Sequence, residues 1–231
     1  MIQTTALLHL LQLASPSLPV GAYSYSQGLE SAIEQGLVKN SATARLWISQ
    51  QLVEVLACFE APILWRLLHA FEARDQAAIS LWTERFLAAR DTAEFRAETI
   101  QMGYSLGKLL VDLKLDDSQV DPALLACLQS LPEVPFPTAL ACSAVALKVP
   151  AEAALLGMLF SWAENQVLVC VKSVPLGQVA GQALLLSLTE ALEAAAKTAQ
   201  TLNDDELSSW APGLSLLSMQ HEVQYSRLYR S

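Results

Sequence analysis

The sequence predicts an all-α fold, a compact single-domain bundle of about eight to ten helices spanning residues 1–231. Apolar residues recur three and four positions apart through most of the chain, and no stretch alternates with period two for long enough to build a sheet. The breaks between the periodic stretches hold residues that cap or interrupt helices. No internal repeat of fixed period is visible.

Taken in order, Thr4 to Ala14 carries Leu7, Leu8, Leu10, Leu11 and Leu13, apolar around most of its girth, so a buried helix is expected. Ser15 to Gly21 reads as an ordered non-helical connector, because Pro16 and Pro19 fix φ and remove donors and Gly21 lets the chain turn. Leu29, Ile33 and Leu37 mark a helix that Gly36 is placed to end. Ser41 offers an N-cap for a long pattern through Leu46, Ile48, Leu52, Val53, Leu56 and Phe59, which Pro62 should kink before Leu64, Leu67, Leu68 and Phe71. Asp75 can cap Ala77 to Arg90. Asp91 and Glu94 read as an Asp version of the capping box for a helix whose apolar face holds Phe95, Ile100, Met102, Leu106, Leu109 and Leu110. Asp121 and Pro122 pair an N-cap with proline at the first helical position. Pro132, Pro135 and Pro137 predict a rigid corner within one domain. Pro150 and Pro175 start helices over Ala151–Val174 and Leu176–Leu202. The β-branched run Val167 to Val171 has neither a partner strand nor turn signals around it.

Hydrophobic residues make up 53% of the chain and charged residues 16%, a balance that excludes disorder and suggests buried subunit or partner surface. The net charge of −9, with no Lys/Arg cluster, argues against nucleic acid. The N-terminal apolar run lacks preceding basic residues and a small-residue cleavage site, and so reads as a mature helix. Glu164, Asn165, Glu190 and Glu193 interrupt the longest apolar segments and argue against a membrane span. Cys58, Cys127, Cys142 and Cys170 are widely spaced in helical pattern, as expected of reduced, buried thiols in a cytoplasmic protein.

There is no G-x-x-x-x-G-K-[ST] for a nucleotide and no G-x-S-x-G for a nucleophile. His9, His69 and His221 form no H-x-x-x-H pair and the cysteines no C-x-x-C, so neither a metal site nor a cofactor is expected. Gly177-Gln178 recurs as Gly181-Gln182, and Gly103 and Gly107 share the spacing. Glycine costs about 1 kcal/mol per helix position relative to alanine, so close backbone approach is implied, inside the core or at an interface. Two stretches are rich in aromatic and polar residues: Tyr23 and Tyr25 in SPSLPVGAYSYSQGLE, Ser15 to Glu30, and the C-terminal SLLSMQHEVQYSRLYRS, Ser215 to Ser231. Each reads either as local packing or as a surface for a partner.

Three blocks, SPSLPVGAYSYSQGLE, NQVLVCVKSVPLGQVAGQALL (Asn165 to Leu185) and SMQHEVQYSRLYRS (Ser218 to Ser231), with a looser fourth at Ala89 to Leu106, give the chain its resemblance to the UreF family of urease accessory proteins. The resemblance implies an all-helical cytoplasmic homodimer that is not itself an enzyme. Such a protein binds the accessory protein UreD (UreH) and, through that complex, the GTPase UreG, and promotes nickel insertion into apo-urease. It implies partner or dimer contact for Tyr23, Tyr25, Gln27 and Glu30. It also implies that residues 218–231, through His221, Glu222, Tyr225, Arg227, Leu228, Tyr229 and Arg230, become ordered on binding UreD. Gly177, Gln178, Gly181 and Gln182 are then expected at close helix packing near a metal path or dimer interface. A second reading is a GTPase-activating protein supplying a catalytic cation, Lys172, Arg227 or Arg230, to UreG. A metallochaperone carrying nickel alone is disfavoured by the poor supply of histidine and cysteine.

Overall fold

The computed structural model describes residues 2–114, 121–174 and 176–231, and all regular structure among them is helical. The order is α1 (Thr4–Leu13), a 3₁₀ turn (Ala22–Ser24), α2 (Leu29–Glu34), α3 (Ser41–Gln51), a π-helical stretch (Leu52–Glu60), α4 (Ala61–Ala73), α5 (Gln76–Ala88), α6 (Ala93–Asp112) and α7 (Pro122–Ser130). Then follow α8 (Phe136–Ala146), α9 (Ala151–Ser173), α10 (Gln178–Leu186), α11 (Thr189–Thr201) and α12 (Pro212–Glu222). The expected all-α fold is met.

At the centre α4, α8 and α9 pack on one another, with α6 and α5 outside α8 and α4, and α11 against α4, α9 and the π stretch. Helix α8 is buried nearly all round, and its run Ala139, Leu140, Ala141, Cys142 and Ala144 has no polar face to turn outward. Burial pushes the Cys142 and Cys170 thiols up to about 12, so both stay protonated, and all four cysteines are free. Helix α9 is long and apolar enough to cross a membrane by length and composition, but half of that window is buried inside the fold, as in a core helix. The run Val167 to Val171 lies within it as helix.

Several local expectations are corrected. Asn40, not Ser41, caps α3, in a reciprocal box with Thr43, because its side chain reaches the Thr43 N–H at 2.9 Å. Thr92, not Asp91, caps α6, accepting from the Phe95 N–H. The helical run is continuous through Pro62, the residue expected to kink it. The nine residues before Ala61 widen into π geometry, and the Cys58 carbonyl, which proline at position 62 cannot satisfy, accepts from the Ser208 N–H at 3.1 Å. The Leu176–Leu202 pattern splits at Ser187 and Leu188 into α10 and α11, bent by 43°. Helix α1 is not buried: Ala6 faces inward while Leu7, Leu8 and Leu11 are exposed. Asp75, Asp121 with Pro122, and Pro150 stand at helix starts as expected. The start expected at Pro175 lies outside the described residues.

The proline corner sets the path from α7 to α8, and α6 admits it only because residue 103 has no side chain. A Cβ there would sit 2.0 Å from the Val134 carbonyl oxygen and 2.6 Å from the Pro135 carbonyl carbon, whereas one at Gly107 would meet only Leu128 Cδ2 at 3.4 Å. Gly103→Ala should therefore lower the unfolding free energy by about 2–3 kcal/mol, because backbone must move. Gly107→Ala should be neutral or stabilising by roughly 0.5–1 kcal/mol, from helix propensity. Urea denaturation of the two variants checks the contrast.

Candidate functional site

The stretch after the 3₁₀ turn leaves helical geometry in a defined way. Gln27 at φ +55° and Gly28 at φ +79° are both left-handed, a conformation that strains the non-glycine Gln27 and turns the chain sharply into α2. That turn presents the Ser26 and Gln27 N–H groups, at 2.6 and 3.2 Å, to the main-chain oxygen of Ser231. The Ser26 hydroxyl donates to the same oxygen at 2.7 Å. Asn165 and Gln166 of α9 donate to the Tyr25 and Ser26 carbonyls, which fixes the turn to the core.

One residue later in α2, Glu30 is buried and fully engaged. Its Oε1 accepts from the Leu228 N–H at 2.7 Å, and its Oε2 accepts from the Tyr229 N–H at 3.0 Å and faces His221 Nε2 at 3.0 Å. The His221 ring has no exposed surface, and its other nitrogen lies 2.9 Å from Glu94 Oε2. Glu94 Oε1 in turn accepts from Arg227 at 3.1 Å. One turn along α6, Glu98 accepts from the Gln27 amide and from the Ser231 hydroxyl, both at 2.5 Å. Three carboxylates from α2 and α6 thus hold the end of α12 and the strap that follows it, residues 224–231.

Glu98 also belongs to a partition between two cavities. A larger one, about 100 Å³, is walled by Leu10, Met102, Phe136 and Met158; a smaller one, about 40 Å³, lies toward Phe95 and Leu214. Gln27, Glu60, Arg90, Glu98 and Trp162 line both. Trp162 Nε1 donates to the Gln27 side-chain oxygen at 2.6 Å, and Arg90 pairs with Glu60 at 2.7 Å while lying over the Phe86 ring. Burial is the largest cause that lifts the Glu98 carboxyl from its ordinary 4.5 to about 7, against the lowering by its Ser231 and Gln27 hydrogen bonds. Among the described residues no group of three or more His, Cys, Asp or Glu is placed to hold a metal ion. The arrangement holds and positions chain; it carries no nucleophile beside a free base.

The UreF family model matches residues 38–189, more than half of the chain. The chain belongs to the UreF family. Relatives named "Urease accessory protein UreF" include one from Janthinobacterium sp. (strain Marseille), 75% identical over 230 residues and covering all of both chains. Another, from Nitrosospira multiformis, is 65% identical over 98% of each. A third, from Azoarcus sp. (strain BH72), is 51% identical over 97% of this chain and 95% of its own. The family-model match leaves out both Glu30 and His221, which the alignment with the Janthinobacterium relative spans.

Set against the residues expected from the UreF resemblance, the structure divides them into three groups. Glu30, His221 and Tyr229 are buried in the hub, together with Tyr25 at the turn beside it. Tyr23 donates to Glu164 Oε2 at 2.8 Å, which with burial raises its pKa, and Gln27 bridges Glu98 and Trp162. Glu222, Tyr225, Arg227, Leu228 and Arg230 are exposed, and the Arg230 N–H donates to the Ser24 carbonyl at 2.8 Å. Residues 218–231, expected to become ordered on binding UreD, are packed on their own chain in this structure through these bonds. Gly181 lies at the α9–α10 contact, where a Cβ would meet Val171 Cγ2 at 2.6 Å; Gly177 has open space, and Gln178 and Gln182 face outward.

Sequence reasoning missed Glu94 as a hub residue, reading it as half of a cap, and missed Glu98, Trp162 and Gln166 altogether. The available signal was two carboxylates four positions apart beside Phe95 and Met102 on one helix face, since a charge on an apolar stripe needs a partner. Glu98 has a raised folded-state pKa, so its contribution to stability is full below about 4.5 and is lost as pH rises through about 7. Between about pH 5 and pH 8, Glu98→Gln should therefore gain roughly 2–3 kcal/mol on the wild type. Urea titrations of both proteins at the two pH values check the sign and size.

Proposed function

We propose that the protein serves urease maturation as a scaffold, joining UreD (UreH) to the GTPase UreG on apo-urease and coupling GTP hydrolysis to nickel delivery. Family membership is the observation that carries this reading. The absence of a nucleotide-binding loop from the sequence supports assigning GTP chemistry to a partner, and relatives bear the name of an accessory protein, not of an enzyme. In this reading the chain acts as one domain, in the cytoplasm, and as a homodimer. The exposed Leu46 and Val53 at and beside α3, with Val179 and Leu186 on the neighbouring α10, supply apolar surface suited to a second copy.

The partner-facing side of the C-terminal strap is its exposed set, Tyr225, Arg227, Leu228 and Arg230, with Glu222 beside it. Tyr225 is fully exposed and Leu228 is 74% exposed, so both are unspent contact area on a strap that is otherwise tied down. The buried set, Glu30, His221 and Tyr229, positions that surface. Tyr23, Tyr25 and Gln27 serve through the same turn. The reading as a GTPase activator is weaker, because Lys172 lies over the Tyr229 ring and Arg227 is bound to Glu94, which leaves Arg230 as the cation to supply.

Truncation of the strap would strip donors from Glu30 and confound folding with binding, so exposed side chains give the cleaner test. Tyr225→Ala with Leu228→Ala should leave the thermal midpoint unchanged and weaken capture of UreD at least ~10-fold, the loss of a modest interface hot spot. Retained capture at wild-type strength would count against the scaffold surface. Single-turnover GTP hydrolysis by UreG, unchanged on adding the Arg230→Ala protein in place of the wild type, would count against the activator.

A further inference from the structure

The hydrogen-bond inventory of the hub fixes its protonation. Each ring nitrogen of His221 faces a carboxylate oxygen, Glu30 Oε2 on one side and Glu94 Oε2 on the other, and an ionised carboxylate can only accept. A neutral imidazole has one N–H and one lone pair, so one of the two contacts would set lone pair against carboxylate. Both contacts are made only when the hub holds a further proton, on the ring or on one of the two carboxyl groups; the Arg227 guanidinium on Glu94 and the two N–H groups on Glu30 favour two carboxylates with the proton on the ring. Charge balance agrees. Glu30 and Glu94 are countered by His221 and by Arg227, whose side chain is 41% exposed and so is screened by water. His221 is the fully buried member of the set, and it balances Glu30 only when it carries both ring protons.

The strap depends on the same carboxylate. Glu30 is held in place by His221 and in turn accepts the Leu228 and Tyr229 N–H groups. Loss of that ring proton would leave a buried carboxylate short of its counter-charge, an unfavourable state that is relieved when the carboxylate turns to water. Turning to water means letting go of both N–H groups. The remaining ties of the strap are Arg227 to Glu94, Lys172 over the Tyr229 ring, Arg230 to the Ser24 carbonyl, and Ser231 to Ser26, Gln27 and Glu98.

We propose that residues 224–231 form a proton-operated latch, closed on the body while the His221 ring carries both protons and released when it loses one. The charged and titratable groups that face the device are Glu30 from α2, Glu94 and Glu98 from α6, Lys172 and Cys170 from α9, and Arg227, Tyr229 and Arg230 from the strap. Glu60 and Arg90 approach Glu98 from the π stretch and the end of α5, and Tyr25 approaches it from the turn. Glu98, lifted to about 7 by burial, works in the same direction, since its ionisation on rising pH adds a second buried negative charge beneath the strap. Release would uncover the Tyr229 ring and remove the Ser231 contact from the partition between the two cavities. The latch rests on the geometry of this chain and not on the scaffold reading, and its test needs no partner.

The test uses the full-length chain with ¹⁵N-labelled histidine, its ring signals assigned by elimination with His9→Gln and His69→Gln. Strap release is followed as the rate of tryptic cleavage after Arg227, normalised to a peptide standard, with helix content read by circular dichroism. From about pH 6 to about pH 9 the cleavage rate should rise at least ~10-fold, with its midpoint at the titration of the His221 ring and helix content unchanged. Three results would each overturn the latch: a neutral His221 ring at about pH 6 with the strap protected, a cleavage rate flat across the range, or a rise that coincides with loss of helix content.

Discussion

A carboxylate taken out of water must recover its hydration from protein donors, and Glu30 does so through contacts drawn from two parts of the chain. The Leu228 and Tyr229 N–H groups come from the strap and the His221 ring from α12, while Glu30 itself stands in the first turn of α2. Because each contact satisfies the same two oxygens, none can be lost without weakening the others. This makes the end of α12 and the strap after it conditional on residue 30. Glu94 extends the arrangement through the far side of the imidazole, so that α2, α6 and α12 share one electrostatic unit within a largely apolar bundle.

Much of this fold was legible from periodicity and punctuation. Asp75, Asp121 with Pro122, and Pro150 begin helices where residue type alone places them, because a capping oxygen or a fixed φ acts locally. What failed were choices between neighbours. Asn40 and Ser41, like Asp91 and Thr92, are each competent caps one position apart, and which of them wins depends on where the preceding chain arrives. The π stretch was invisible for another reason: its carbonyl at Cys58 is satisfied by Ser208, a contact between residues that no window of sequence brings together. Helix α1 shows the converse limit, since its leucines predict burial and only one face finds a core to pack on.

The candidate site was legible in its residues and not in its arrangement. Glu30, His221 and Tyr229 were singled out as contacts for another protein, and in this structure they bond to one another within the chain. Composition cannot separate the two cases, because buried tyrosines, histidines and carboxylates make the same bonds in a fold and across an interface. Only the exposure of Tyr225 and Leu228 beside the burial of Tyr229 draws the line, and that alternation depends on which backbone N–H groups Glu30 captures.

The Ser26 to Ser231 bond closes a loop of 205 residues. A chain made from its N-terminus therefore exposes the turn at Gln27 and the carboxylate at Glu30 long before their partners exist. Until residue 231 has emerged, α2 has no donors from the strap to settle against, and Asn165 and Gln166 have only a loose turn to grip. The helical body can assemble from contacts closer in sequence, but the hub forms later, since a contact that distant forms only after its loop-closure entropy is overcome. A chain lacking the strap would hold a helical bundle with one open, acidic corner at Glu30 and Glu94.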